Sequence, residues 1–396
     1  MPSIDRVSLS RIFFTFLKLG CTSFGGPTAH LTFYRESLVN KLRWMTEEEY
    51  ASIVALCQFL PGPGSSQVGF SIGIRQGGLR GGFAAWLGFT LPSAFIMIAF
   101  AYGISSLAPH SSTGWVNGLK AVVVAVVAKA VWQMAPRLCP DWPRKALAAI
   151  VTLILLFFSL AWVQVLCILL GAAVGAILLS APPSLGTSEN NLQGDKARGA
   201  VSLVLFFILI LLLPPLARLL DFHHLNLLDA FYRAGSLVFG GGHVVLPLLQ
   251  SETVVPGWLT QDEFMAGYGI AQAVPGPLFS FSAYLGTVMT SDWPAWLNGI
   301  WCLIAIYLPA WLLVAGILPF WNQLMKIRKA RAALNGTNAS VVGLLLAALI
   351  HPVGTSGIQD TKSLLLALCA FLSLQFLKLP PWSIVLLGAG VGFLLW

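Results

Sequence analysis

Apolar residues run along this chain in long blocks separated by short polar stretches. Nine blocks are long enough to cross a bilayer as helices: roughly 81–107, 115–135, 145–160, 162–180, 200–220, 294–320, 332–350, 362–378 and 381–396. Four further segments, roughly 9–40, 46–76, 226–251 and 260–290, are each interrupted near the middle by glycine and proline. The pattern predicts nine spanning helices and four broken ones.

The broken segments are copies of one another. A shift of 215 matches Phe16, Gly20, Phe24, Gly25 and Gly26 to Phe231, Gly235, Phe239, Gly240 and Gly241, and sets Lys18 against Arg233. After a one-residue deletion the shift of 214 matches Trp44, Thr46, Glu49, Gln58, Pro61, Gly62, Pro63 and Ser66 to Trp258, Thr260, Glu263, Gln272, Pro275, Gly276, Pro277 and Ser280. Farther on, a shift of 218 matches Asn117, Gly118 and Ala121 to Asn335, Gly336 and Ala339. The chain therefore reads as a tandem repeat, 1–180 and 226–396, joined by a linker and one connecting helix over 181–225. An even number of crossings per repeat plus one extra crossing inverts the second copy in the membrane.

The expected fold is an all-α polytopic membrane protein. It has two inverted-topology repeats, each with two Gly/Pro-broken segments followed by four transmembrane helices. Composition agrees, since 57% of the 396 residues are hydrophobic and only 10% are charged, with a mean hydropathy of +0.80. Ordinary soluble domains carry about 25% charged residues, so a soluble enzyme is excluded. The net charge of +8 is spread thinly between apolar runs, which points to topology rather than to nucleic acid. Placing the N-terminus inside puts Arg35, Lys41 and Arg43, Arg75 and Arg80, Arg137, Arg144 and Lys145, Lys196 and Arg198, and Lys326 to Arg331 in inside loops, with Arg218 and Lys362 as exceptions. That count favours re-entrant hairpins for the broken segments. Full crossings have the same parity but put Arg35, Lys41 and Arg43 outside. The six cysteines form no C-x-x-C pair and no Cys/His cluster at ligand spacing, so neither a metal nor any other cofactor is expected. No signal-peptide cleavage site follows the first short apolar run.

A break in a membrane helix frees backbone groups that lipid cannot satisfy, so the breaks must be buried in protein or line a wet cavity. They read Phe24-Gly25-Gly26-Pro27-Thr28, Pro61-Gly62-Pro63-Gly64-Ser65-Ser66, Phe239-Gly240-Gly241-Gly242-His243 and Pro275-Gly276-Pro277-Leu278-Phe279-Ser280. Glycine allows a reversal and proline suits a first helical turn, so each break should lead into a helix N-terminus with free amides and a positive dipole end. Such ends bind anions, and Thr28, Ser65, Ser66 and Ser280 add hydroxyl donors. Lys18 and Arg233, one or two turns before the breaks, would supply full charge, while Gln58 and Gln272 would cap freed backbone or touch substrate. His243, standing where Thr28 stands in the first copy, is a candidate ligand or proton carrier, with His30 and Glu36 as further carriers. The plainer readings are a close-packing kink at each glycine pair and an interface-snorkelling cation at Lys18 and Arg233. The implied ligand is a small, multiply charged oxyanion. No ATP-binding loop and no H-E-x-x-H or G-x-S-x-G motif is present, so the chain reads as a gradient-driven transporter and not an enzyme.

At these positions the sequence resembles the chromate ion transporter family in its long two-repeat form. The residues that carry the likeness are Phe24-Gly25-Gly26-Pro27, Arg43-Trp44 with Glu47-Glu48-Glu49, Gln58 through Pro63, Phe239 through Pro247, and Gln272 through Pro277. The resemblance implies chromate export from a multi-pass protein of the plasma or inner membrane, chromate resistance, and sulfate as an isosteric competitor. An oxyanion channel or a sulfate transporter is the alternative, and a homodimer is left open.

Overall fold

The computed structural model describes residues 7–107, 114–158, 161–180, 195–239, 242–324 and 326–396, and these contain helices and no strand. Most of the linker therefore lies outside the described residues. The four broken segments are helical hairpins: α1 (Leu9–Thr22) with α2 (Gly26–Tyr34), and α3 (Glu47–Phe59) with the first part of α4 (Gly64–Leu107). After α5 (Gly114–Leu138), α6 (Trp142–Phe157), α7 (Ala161–Leu178) and α8 (Lys196–Leu220), the other two pair α9 (His223–Leu237) with α10 (Val245–Thr253), and α11 (Gln261–Ala271) with α12 (Phe281–Val288). Then come α13 (Ala295–Ile317), the short α14 (Trp321–Leu324), α15 (Arg328–Ala348), the one-turn α16 (Thr355–Gly357), α17 (Thr361–Gln375) and α18 (Pro381–Leu395).

Local chemistry accounts for these boundaries. Thr46 and Glu49 close a capping box on α3, and their counterparts Thr260 and Glu263 close one on α11, so two orphan amides are satisfied at the start of each hairpin. α4 is two helices joined at Gly77 and Gly78, the latter at φ +65°, between the expected broken segment and the first expected span.

Among the described residues five helices are long and apolar enough to cross a membrane: Gly64–Ile104, α5, α8, Ala295–Phe320 and Arg328–Gly357. Three expected spans, α7, α17 and α18, are one or two residues shorter than anticipated, and α6 keeps the anticipated length. α6 has 16 residues, α7 has 18, and α17 and α18 have 15 each. At 1.5 Å per residue, 15 residues cover about 22 Å of a ~30 Å core. For α17 the difference arises where the helix ends at Gln375, before Phe376 and the positive φ of Lys378. The longer spans pack on their neighbours, but α8 is buried along only 17% of its apolar window, as a helix facing lipid should be.

Helices from the two halves of the chain exchange partners. α5 packs along α18, and α15 packs along α7. The contacts are made by small residues four apart, Gly114 and Gly118 against Gly388 and Gly392, and Ala332 and Gly336 against Gly171 and Gly175. Each of these glycines lies against backbone of the opposing helix, so a Cβ at Gly118 would strike the Gly388 carbonyl and one at Gly336 the Gly171 carbonyl. The hairpins follow the same scheme, with Gly20 against the Phe89 carbonyl and its match Gly235 against that of Ile306.

Candidate functional site

The four breaks meet, and they are tied together by their backbones. The Gly62 amide donates to the Val238 carbonyl at 2.7 Å, and the Gly276 amide donates to the Ser23 carbonyl at 2.9 Å. Gly62 and Gly276 are matched residues, as are Ser23 and Val238 under the shift of 215, so the two bonds interchange when the copies are exchanged. Glycine is required at these points: φ is +101° at Gly25, +124° at Gly62 and +99° at Gly276, where an L side chain is strained. Pro27, Gly242 and Leu278 bring the tips of three breaks into contact, since a Cβ at Gly242 would lie 3.6 Å from Leu278 and 3.7 Å from Pro27. Gly240 and Gly241 lie outside the described residues, as does the side chain of Thr28.

The breaks of the first copy run straight into helix, α2 with Pro27 in its first turn and α4 immediately after Pro63. Those of the second copy pass first through 3₁₀ turns, Gly242–Val244 and Leu278–Ser280. Gly242 stands where Pro27 pre-sets a helical φ, which is one local reason for the difference. The Ser280 hydroxyl donates back to the Pro277 carbonyl at 2.8 Å and so is committed within its own turn. Phe239 is half-buried against the central core, and Pro61, Pro63 and Pro275 shape the reversals.

Beside the reciprocal bonds lies a buried polar cluster. His30 Nδ1 is 3.1 Å from the Ser65 hydroxyl, and the Ser66 hydroxyl is 3.4 Å from that of Tyr307 on α13, with Thr90 facing the same phenol. Tyr34 and Ser23 add hydroxyls that are buried without a hydrogen-bond partner. Phe89 walls the cluster, its ring edge-on to both His30 and Tyr34 at 5.2 Å. A buried polar atom left unpaired costs about 1–3 kcal/mol, so the spare hydroxyls of Ser23 and Tyr34 are donors without an internal use. On the other side of the tips, His243 Nδ1 lies 2.9 Å from the Tyr268 hydroxyl, and Gln272 reaches the same phenol.

The cations expected at the breaks are placed differently. Lys18 is exposed on α1, on the face of Phe14 and opposite the buried Ile12, Phe16 and Leu19, because helical phase turns it away from α4. Arg233 is gripped by two carboxylates, Asp229 at 2.8 Å and Glu252 at 2.7 Å. Its charge is spent inside the protein, and the triad carries a net formal charge of −1. Gln58, matched to the half-buried Gln272, is exposed. Sequence reasoning missed Ser23, Tyr34, Thr90 and Tyr307. Tyr307 carried a signal, since it falls in the middle of an expected span whereas membrane tyrosines favour the interfaces.

The sequence model described as Chromate transporter matches residues 10–178 and again 225–393. A chromate transport protein of Pseudomonas aeruginosa is 26% identical over 365 residues, covering 86% of this chain and 80% of that protein. One of Cupriavidus metallidurans is 25% identical over 394 residues, covering 97% and 92% respectively. An uncharacterized transporter of Bacillus subtilis is 29% identical over 168 residues, 41% of this chain and 83% of its own length. No solved structure matches the chain. Broken hairpins, apolar helices and a family match over both copies lead to one conclusion: this multi-pass membrane protein belongs to the chromate transporter family.

Proposed function

We propose that the protein is a secondary transporter that exports chromate from the cytoplasm across the cell membrane, with sulfate competing, by alternating access between inverted repeats 1–180 and 226–396. The observation that carries this reading is the pair of interchangeable backbone bonds, Gly62 to Val238 and Gly276 to Ser23. A pseudo-two-fold axis generates such a pair, and a substrate site at the repeat interface is the common plan of inverted-repeat carriers. The oxyanion is bound beside these bonds, by first-turn amides of α2 and α4 and by the hydroxyls of Ser65, Ser66, Tyr34 and Tyr307, with His30 close by. Amide and hydroxyl donors without a carboxylate suit a divalent tetrahedral anion.

Moving one charge through 100 mV is worth about 2.3 kcal/mol, so a divalent anion gains about twice that on leaving an inside-negative cell. Membrane potential therefore suffices to drive export, and a proton gradient is the alternative drive. Proteoliposomes with an imposed potential and no pH gradient should take up labelled chromate, and sulfate should compete. Tyr34→Phe and Tyr307→Phe keep the rings and remove one hydroxyl each. A hydrogen bond to a charged group is worth about 1.5–3 kcal/mol, so each variant should lower uptake at subsaturating chromate by tenfold or more. Uptake that appears only with a proton gradient would assign the drive to protons, and no uptake under either gradient would overturn the reading.

A further inference from the structure

A cavity of about 400 Å³ opens beside the first break, between α5 and the junction of α17 with α18. Phe24 and Gly25 of the break form its inner end, and Lys129, Gln133, Gln375 and Lys378 supply its polar lining. Among the described residues neither lysine is ion-paired, whereas Arg75, Lys120, Arg144 and Arg233 all are. Two uncompensated ammonium groups and two amides thus converge on a space that ends at the broken helices.

The matched end of α15 in the second copy borders a different cavity, without the charge and lined by no described residue of the breaks. The shift that matches α5 to α15 sets Ala347 at the place of Lys129 and His351 at that of Gln133. Ala347 and His351 line a second cavity, of about 180 Å³, together with Pro247 and Gln250 of α10. Among the described residues no lysine or arginine lines it.

We propose that the α5–α17 cavity is an intake vestibule holding a divalent tetrahedral oxyanion between Lys129 and Lys378 before it reaches the breaks, and that the lysine-free cavity at α15 is the way out. This rests on the transport reading above, and the inside-positive loop count puts the lysine vestibule on the cytoplasmic face. Low-dielectric walls lined by one sign of charge concentrate a counter-charged solute. The charge asymmetry cannot build a gradient. It sets the half-saturating concentration on each face, low where the lysines are and high where they are absent.

A phosphate-bearing lipid headgroup has the same chemistry as a free oxyanion, so the test separates the two. Labelled sulfate uptake is measured from each face of oriented proteoliposomes, in phosphatidylcholine alone and with phosphatidylglycerol added, for wild type, Lys129→Gln, Lys378→Gln and the double variant. Each substitution should raise half-saturation from the lysine face on the order of tenfold, a divalent anion at contact distance from one ammonium, and leave the other face unchanged. Lys378 is exposed and tolerates replacement, which keeps the test open if Lys129→Gln fails to fold. Ala347→Lys should lower half-saturation from the opposite face. Equal half-saturation on both faces of wild type, or an unchanged double variant, overturns the vestibule. A lysine effect seen only with phosphatidylglycerol identifies a headgroup site and overturns it as well. Absence of sulfate and chromate flux in wild type overturns the transport reading and the vestibule with it.

Discussion

Arg233→Met should be the most damaging single change of a charged residue in this protein. It leaves Asp229 and Glu252, with side chains only 9% and 13% exposed, facing each other without their cation. Breaking a buried ion pair by removing one partner costs about 3–5 kcal/mol, because the uncompensated charge remains. The expected result is a loss of folded protein on size exclusion and a lower thermal midpoint in detergent. Lys18→Met, at the matched but exposed position, should stay within about 0.5 kcal/mol of wild type. The triple variant Asp229→Asn, Arg233→Met, Glu252→Gln removes the charges together and should recover most of the lost stability. If it then transports chromate normally, Arg233 serves the fold. If it folds and does not transport, the triad takes part in the cycle. Wild-type stability in Arg233→Met itself would show that the carboxylates find another partner.

Gly118→Leu and Gly336→Leu should be as damaging by a different route. Neither side chain has a place to go, since even a Cβ meets the opposing carbonyl of Gly388 or Gly171. Overpacking commonly costs about 1–3 kcal/mol, and a collision with backbone lies at or above the top of that range because no rotamer relieves it. Each change forces apart a helix pair that joins the two halves, so folded yield should collapse. Gly390 is the control, lying between Gly388 and Gly392 with nothing within 4 Å of its Cβ position. Gly390→Ala should be neutral or stabilising by up to about 1 kcal/mol, through helix propensity alone. Equal behaviour of Gly390→Ala and Gly118→Leu in thermal unfolding would refute the close-packing account.

The hairpins and long spans were legible because lipid permits few alternatives. A run of apolar residues must be helical there, and glycine with proline in its middle must break it. Thr46 with Glu49 and Thr260 with Glu263 were legible as matched pairs, and the structure adds that they are capping boxes. Charge compensation was only half legible. Asp229 stands four residues before Arg233, a helical neighbour in any sequence, but Glu252 reaches it from the far leg of the hairpin, and that closure depends on where the break turns the chain. Lys18 and Arg233 match in sequence yet differ in setting, because the first copy has Phe14 where the second has Asp229. The buried hydroxyls of Tyr34 and Tyr307 were hidden for a similar reason. They come from α2 and α13, which only the three-dimensional crossing of the copies brings to one place.

That crossing governs how the chain can be divided. The amide of Gly62 finds its carbonyl on the far side of the linker, as does that of Gly276, and α5 and α7 each lie against a helix of the other half. Neither half is a self-sufficient body: alone it would hold one orphan donor, one orphan acceptor and two uncovered glycine seams. A polypeptide cut within residues 181–194 would therefore yield two fragments that are each other's missing interior. They would have to find one another in the membrane, so continuity of the chain fixes the two halves at one to one.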